Sequence, residues 1–285
     1  MAAAPFEIAF DGALLRGEAD GFGLPVVFLH AECADRRMWA GQMEEVAAEG
    51  YHVIAYDRRG HGTTDTENME FDDLVDLEMV LDQLSLHAVI LVGCGEGGAL
   101  ALDFAIEHPE RTIGLVLSGT GISGEDPPDF PDEAIDLEDA LDYARDRGHA
   151  ESVNRIEAHV YLDGPLSESG RVTGEVRELF LDMNAIVLEQ ASLPGREERD
   201  PAWPSLPSVT APTLLVVGEL DFPDMIARHD DLSEELETSF AVVLEECARM
   251  APLERPELFN PILLEFLDAV SGQGDGDDED ETDGA

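Results

Sequence analysis

The segment Val92-Gly93-Cys94-Gly95-Glu96-Gly97-Gly98 follows the apolar run 88–91 and leads into Ala99-Leu100-Ala101. An apolar run that passes through glycines into a helical pattern predicts a strand that turns sharply into a helix. In the G-x-S-x-G form of this turn, a serine hydroxyl is lifted above the sheet as a nucleophile. Gly95 holds the serine position here. The turn therefore indicates an α/β fold. It lacks the side chain that would attack a carbonyl group.

The chain is strongly acidic. Asp and Glu number 64 against 16 basic residues, all of them arginine, and the formal net charge is −48. Such an imbalance creates self-repulsion, which 1 M salt screens over a Debye length of about 3 Å. We therefore predict a halophilic protein from a cell with an acidic proteome. Nucleic acid is not an expected partner, because phosphate binding needs a basic surface. The charge points to no particular protein partner.

The sequence gives no sign of export or membrane insertion. Residues 1–5 lack the basic flank and apolar run of a signal peptide, and glycines or carboxylates interrupt the longest apolar stretches. We expect a cytoplasmic protein with no membrane association. The three cysteines, Cys33, Cys94 and Cys247, are an odd number, so reduced thiols are expected.

Short apolar segments alternate with helical patterns along most of the chain. The segments rich in Val, Ile and Leu, typical of strands buried on both faces, lie at 25–30, 52–57, 88–93, 112–119, 213–219 and 240–246. The helical patterns lie at 39–49, 71–84, 98–107 and 256–270. An antiparallel hairpin is predicted at one edge from 6–10 and 14–18. The fold class is therefore α/β, with a mostly parallel sheet and helices on both faces.

The alternation stops between residues 122 and 207. Three helical patterns follow one another there, at 136–147, 151–161 and 174–188. A helical insertion at this point would lie over the carboxyl ends of the strands as a cap and enclose a pocket. We predict four parts: an N-terminal core part at 1–121, a helical cap at 122–207, a C-terminal core part at 208–270 and a disordered acidic tail at 271–285.

Six segments together resemble the α/β-hydrolase superfamily, in the family's order and across nearly the whole chain. They are VFLHA at 27–31, DRRMW at 35–39, YDRRGHG at 56–62, the turn at Gly95, PTLLVVGELD at 212–221 and LERP at 253–256. The resemblance is closest to small capped members such as enol-lactone hydrolases and related esterases. It implies the α/β-hydrolase fold and a Ser–His–acid catalytic triad.

The resemblance also implies that this triad is degenerate. The family's acid follows the penultimate strand, where Asp221 matches it and Asp224 is a nearby substitute. The family's histidine follows the last strand, and Arg249 holds its position. A guanidinium, with a pKa above about 12, has no lone pair to accept a proton. Nucleophile and base are both replaced, and Arg249 can pair with Asp221.

The family's oxyanion hole is formed by backbone N–H groups, here those of Glu96 and of the Ala31–Glu32 segment. Glu32 stands where a small residue is more usual, and its carboxylate would disfavour an oxyanion if it pointed inward. Trp39, beside this loop, and Cys94, next to the missing serine, are the candidate pocket residues.

No metal and no cofactor are expected. Cys33, Cys94, Cys247 and His30 fall at one end of the predicted sheet, but their spacing matches no known ligand pattern.

Three functions remain open. The first is a non-catalytic or impaired hydrolase-like protein that binds an acidic or carbonyl-bearing small molecule in the capped pocket, near Arg249 and the oxyanion-hole amides. The second is an active carboxylic-ester or lactone hydrolase with a surrogate nucleophile, either Cys94 or water activated by Asp221. The third is a scaffold whose cap binds another protein. An open, polar-lined cavity favours the first two, and a cavity filled by Arg249 favours the third.

Overall fold

The strands of the central sheet follow the apolar segments of the sequence. The computed structural model describes residues 3–124, 132–190 and 200–272. Its strands are β1 Ala4–Phe10, β2 Ala13–Asp20, β3 Pro25–Leu29, β4 His52–Tyr56, β5 Asp65–Thr66, β6 Val89–Cys94, β7 Thr112–Ser118, β8 Thr213–Gly218 and β9 Ser239–Leu244. They are ordered β1-β2-β4-β3-β6-β7-β8-β9, with β5 paired to β2. The β1–β2 and β2–β4 pairs are antiparallel, and from β4 to β9 the sheet is parallel. The predicted mostly parallel sheet is confirmed.

Helices cover both faces of this sheet. Their bounds are α1 Ala40–Ala48, α2 Asp73–Gln83, α3 Glu96–Glu107, α4 Asp132–Asp146, α5 Ala150–Ala158, α6 Glu175–Gln190, α7 Pro223–Glu235, α8 Ala251–Glu254 and α9 Pro256–Gly272. Side chains of β3 alternate between two apolar layers, as the period of a strand requires. Phe28 lies in the same buried cluster as Phe259 of α9 on one face, and Leu29 in the same cluster as Leu77 of α2 on the other. Burial on both faces accounts for the continuous apolar strands.

The helices α4, α5 and α6 lie between β7 and β8, and α5 contacts both of its neighbours. The turn after α5, His159–Asp163, is held by the buried Asp163 carboxylate. This carboxylate accepts hydrogen bonds from the N–H groups of Gly170 (2.7 Å) and Val172 (2.9 Å) and from Arg177 Nη1 (3.0 Å). A buried carboxylate with several donors fixes the connection from α5 to α6.

Two of the predicted parts, the cap and the tail, include residues that the structure does not describe. The predicted cap includes 125–131 and 191–199, and most of the predicted tail, 273–285, also lies outside the described residues. Residues 271 and 272 complete α9. Among the helices of the described segments, none combines the length and the hydropathy that crossing a bilayer requires.

Candidate functional site

The turn at Gly95 joins β6 directly to α3. Gly95 has φ +54° and ψ −123°, a left-handed conformation that favours glycine because it has no Cβ. A Cβ added to Gly93 would overlap the backbone of Gly97, and one on Gly97 would overlap the carbonyl oxygen of Leu29. The small residues of the motif therefore allow strand and helix backbones to approach closely, as the sequence predicts.

The carboxylate of Glu32 occupies the place of the missing nucleophile. A Cβ added to Gly95 would overlap Glu32 Oε2. The same oxygen accepts a hydrogen bond from the Glu96 N–H (3.1 Å), the donor that the family uses in its oxyanion hole. The Ala31 N–H is directed to Met38 Sδ (3.4 Å). The side chain of Glu32 thus points inward, and a negatively charged oxygen already lies where an oxyanion would form.

Arg249 and Asp221 form a close ion pair at the positions of the family's base and acid. Arg249 donates from Nε to both Asp221 oxygens (3.2 and 3.1 Å) and from Nη2 to Oδ1 (3.0 Å). The Asp221 side chain is 1% exposed and that of Arg249 13%. Burial alone would lower the pKa of Arg249, but Asp221, Tyr161 and Glu32 outweigh it, and the pKa is raised above its ordinary value. Arg249 therefore stays charged and cannot act as a base.

Aromatic rings hold this guanidinium in place. Its carbon Cζ lies 5.3 Å from the ring centre of Tyr161 and 5.7 Å from that of Phe222. Contacts of a cation with aromatic faces add stability to the ion pair. Asp224, the predicted substitute acid, lies in the first turn of α7 but has no hydrogen bond to Arg249 within the described residues, and Asp221 makes the contact instead.

The two predicted pocket residues are buried. Cys94 is fully buried, and its thiol contacts the Arg249 carbonyl oxygen (3.7 Å). Burial, with a further contribution from Glu32, raises the pKa of the Cys94 thiol, so the thiolate does not form at neutral pH. Trp39 is also fully buried, with its ring 5.3 Å from Phe28 and 6.3 Å from Phe259. Trp39 is not among the side chains that line the cavity beside Arg249, and its indole packs in the core.

A cavity of about 320 Å³ lies between α4, the turn after α5, the start of α7 and Arg249. Its lining side chains are Leu137, Leu141, Arg145, Val160, Tyr161, Phe222, Asp224, Met225, Arg228 and Arg249. Of these, the sequence analysis singled out Arg249 as a site residue and Asp224 as a substitute acid. The scarcity of positive charge, 16 basic residues against 64 acidic ones, is the signal that could have drawn attention to Arg145 and Arg228.

The site thus contains a strand-to-helix turn with an inward carboxylate, and a buried acid whose partner, Arg249, lines a cavity. A family model described as "Alpha/beta hydrolase family" matches residues 26–262. The chain belongs to this family. It is 29% identical over 260 residues to 2-hydroxy-6-oxo-6-phenylhexa-2,4-dienoate hydrolase of Burkholderia cepacia, covering 87% of this chain and 88% of the relative.

Another α/β-hydrolase relative is the 2-hydroxy-6-oxononadienedioate/2-hydroxy-6-oxononatrienedioate hydrolase of Paraburkholderia phymatum. It is 30% identical over 260 residues, covering 85% of this chain and 86% of the relative. Among solved structures, a thermophilic esterase of Thermogutta terrifontis with malate bound superposes with a TM-score of 0.72 at 25% identity, covering 95% of this chain and 99% of the esterase. These comparisons confirm the α/β-hydrolase fold.

Removing the guanidinium should strongly destabilise this α/β-hydrolase fold. We expect Arg249→Met to lower the free energy of unfolding by about 3–5 kcal/mol, because the buried Asp221 carboxylate loses its cation. Urea unfolding at fixed KCl concentration measures the loss. The double variant Arg249→Met, Asp221→Leu should recover most of it. Arg255→Met is the matched control: its pair with Glu257 is more exposed and screened by solvent, so its loss should destabilise the fold far less. Equal losses in Arg249→Met and Arg255→Met would contradict the prediction.

Proposed function

We propose that this α/β-hydrolase-family protein has lost the serine-hydrolase mechanism and binds a small molecule in its capped cavity. The observation that carries the proposal is the position of the Glu32 carboxylate, which fills the space beside Gly95 and accepts the Glu96 N–H. An ester carbonyl cannot accept the same N–H while this carboxylate holds it. Gly95 supplies no nucleophile, and Arg249 accepts no proton.

The cavity supports a small-molecule role over that of a scaffold. Arg249 is drawn to one side by Asp221 and leaves about 320 Å³ beside it, within the range of ligand sites, ~300–1,000 Å³. A collapsed cavity filled by Arg249 would have favoured protein binding alone. The relatives named above are hydrolases of small organic molecules by their names, which also supports a ligand of this size.

An active hydrolase with a surrogate nucleophile is the second candidate, and the hydrolase names of the relatives favour it. The Cys94 thiol is buried and stays protonated. The Asp221 carboxylate is 1% exposed and already accepts bonds from Arg249 and from the Phe222 N–H (2.8 Å). These contacts leave neither group well placed to activate water, so we rank this candidate second.

We expect no hydrolysis above background when the natural protein is incubated with p-nitrophenyl acetate or δ-valerolactone in 2 M KCl. Rates should equal those of three single variants, Glu32→Ala, Cys94→Ala and Asp221→Asn, because none of these groups is predicted to react. Initial-rate assays at equal protein concentration make the comparison. Turnover by the natural protein that falls ten-fold or more in one of the variants would overturn the proposal and identify the surrogate group.

We also propose that the protein works in a salt-rich cytoplasm. The net charge of −48 supports this, because repulsion of that size needs screening. The dependence of unfolding on KCl concentration is the test.

A further inference from the structure

The cavity beside Arg249 contains a carboxylate that has no partner among the described residues. Asp224 lies in the first turn of α7 and belongs to the cavity lining. Within the described part of the chain its carboxylate accepts no hydrogen bond and forms no ion pair, and its Oδ1 atom is buried. A buried acceptor that has lost water without gaining a donor costs free energy. A bound molecule that donates to Asp224 would remove this cost.

The guanidinium groups of the same lining all have partners. Arg249 pairs with Asp221 (3.0 Å), and Arg145 pairs with Glu157 (3.0 Å). Arg228 also has an interaction partner. The charged group of the lining that lacks a partner within the described segments is therefore the carboxylate on α7.

The place of Asp224 on its helix keeps it an acceptor. It stands one residue after Pro223, where α7 begins. The unpaired N–H groups in the first turn of a helix stabilise a negative charge there. An ionised carboxylate has four lone-pair sites and no hydrogen to donate, so the molecule that binds to it must supply the donor.

The other charges of the lining decide what kind of donor fits. An organic anion would face Asp224, and an organic cation would lie beside Arg249 and Arg145. Either ion would also lose hydration that only a well-matched pair restores. A neutral hydroxyl brings no second charge, and its hydrogen bond to a carboxylate is charge-assisted. The lining therefore favours an alcohol.

The remaining walls suit a hydrocarbon chain or ring. Leu137, Leu141, Val160 and Met225 supply apolar surface to the cavity. Val160 and Met225 belong to one small buried cluster together with Phe222. An apolar cavity with a few polar groups is the usual form of a site for a small organic ligand.

We infer that the cavity binds a small alcohol, whose hydroxyl donates to Asp224 and whose hydrocarbon part packs on Leu137, Val160 and Met225. The inference rests on the proposed small-molecule function and names the class of its ligand. The two acids have separate roles: Asp221 holds Arg249, whereas Asp224 selects the ligand.

The experiment compares alcohols with methyl ethers of the same carbon skeleton, which have no donor. Ligand-observed NMR titrations in 2 M KCl would use hexan-1-ol and 3-phenylpropan-1-ol beside their methyl ethers, with hexylammonium and hexanoate as charged ligands. We expect the alcohols to bind at least about ten-fold more tightly than the ethers, as a hydrogen bond to a charged group allows. Both charged ligands should bind more weakly than hexan-1-ol.

The outcomes separate this inference from the proposed function. Equal affinities of alcohols and ethers, or tighter binding of either charged ligand, would overturn the inference and leave the proposed function standing. If none of these compounds binds, the inference fails together with the binding function proposed above.

Variants locate the acceptor. Asp224→Ala should remove the preference for alcohols, and Asp224→Asn, which keeps a neutral acceptor oxygen, should retain part of it. Asp231→Ala is the matched control, because this exposed acid of α7 lies outside the described lining and should leave the preference unchanged. Should Asp224→Ala fail to fold by circular dichroism, the partial loss in Asp224→Asn remains the test. Met225→Trp, which fills the cavity, should abolish binding of alcohols and ethers alike. A preference that survives both the Asp224 variants and Met225→Trp would place the site elsewhere and overturn the inference.

Discussion

The triple variant Glu32→Ala, Gly95→Ser, Arg249→His will hydrolyse p-nitrophenyl acetate about 10³-fold faster than the natural protein. Each change restores one part of the mechanism: the serine hydroxyl at the strand-to-helix turn, an imidazole beside Asp221, and a free Glu96 N–H. Loss of a triad lowers turnover by about 10⁶-fold in a well-studied protease, and a partial recovery of that factor is expected here. The hydroxyl also needs the space that Glu32 Oε2 now occupies.

Two controls separate the parts of this effect. Glu32→Ala, Gly95→Ala, Arg249→His has the same histidine and the same free N–H but no nucleophile, so it should remain at background. Gly95→Ser, Arg249→His with Glu32 retained should be about 10²-fold slower than the triple variant, because one oxyanion-hole donor stays occupied. A triple variant that is folded by circular dichroism yet no faster than its alanine control would mean that the frame has diverged beyond these three positions.

The parts of the fold that could be predicted from the sequence are those marked by a local pattern, such as a continuous apolar run or a cluster of glycines. The β3 and β6 strands are continuous apolar runs, and the glycines around position 95 mark the turn between β6 and α3. α7 was not predicted: its buried residues Met225, His229 and Leu232 follow the helical period, but only two of them are apolar, so the signal is weak. Its N-terminal Pro223 was the available signal. β5, with two residues, is too short for any periodicity.

The positions of Gly95, Asp221 and Arg249 in the fold were predictable from the motifs, but the directions of the side chains and most of the cavity lining were not. The motifs assigned Gly95, Asp221 and Arg249 to the family's triad positions, and in the structure Arg249 forms an ion pair with Asp221. Whether Glu32 points inward depends on the loop conformation and on the bond that its carboxylate accepts from the Glu96 N–H, neither of which a sequence pattern contains. The direction of the Trp39 side chain was unpredictable for a related reason, since proximity to the loop along the chain does not say which layer an aromatic side chain enters.

The natural protein will gain thermal stability when KCl is raised from 0.01 M to 2 M, with an unfolding midpoint higher by more than about 10 °C. At 0.01 M salt the Debye length is about 30 Å, so carboxylates repel one another across the whole molecule, whereas at 1 M it is about 3 Å. A midpoint shift of that size corresponds to about 4 kcal/mol of relieved repulsion in a protein of this length. Circular dichroism during heating measures it, and sucrose at matched osmolality controls for hydration. A midpoint independent of KCl would contradict the halophilic assignment.

Charge-removing variants test whether repulsion is the cause. Glu234, Glu235 and Glu237 are exposed near the end of α7 and form no ion pair with any described residue. Changing all three to glutamine should raise the midpoint in 0.01 M KCl and leave it nearly unchanged in 2 M KCl, where the charges are already screened. Glu257→Gln, which loses the bond from Arg255 Nε (2.6 Å), should bring no such gain. An equal rise at both salt concentrations would point to local helix effects instead, because only charge repulsion disappears when salt is added.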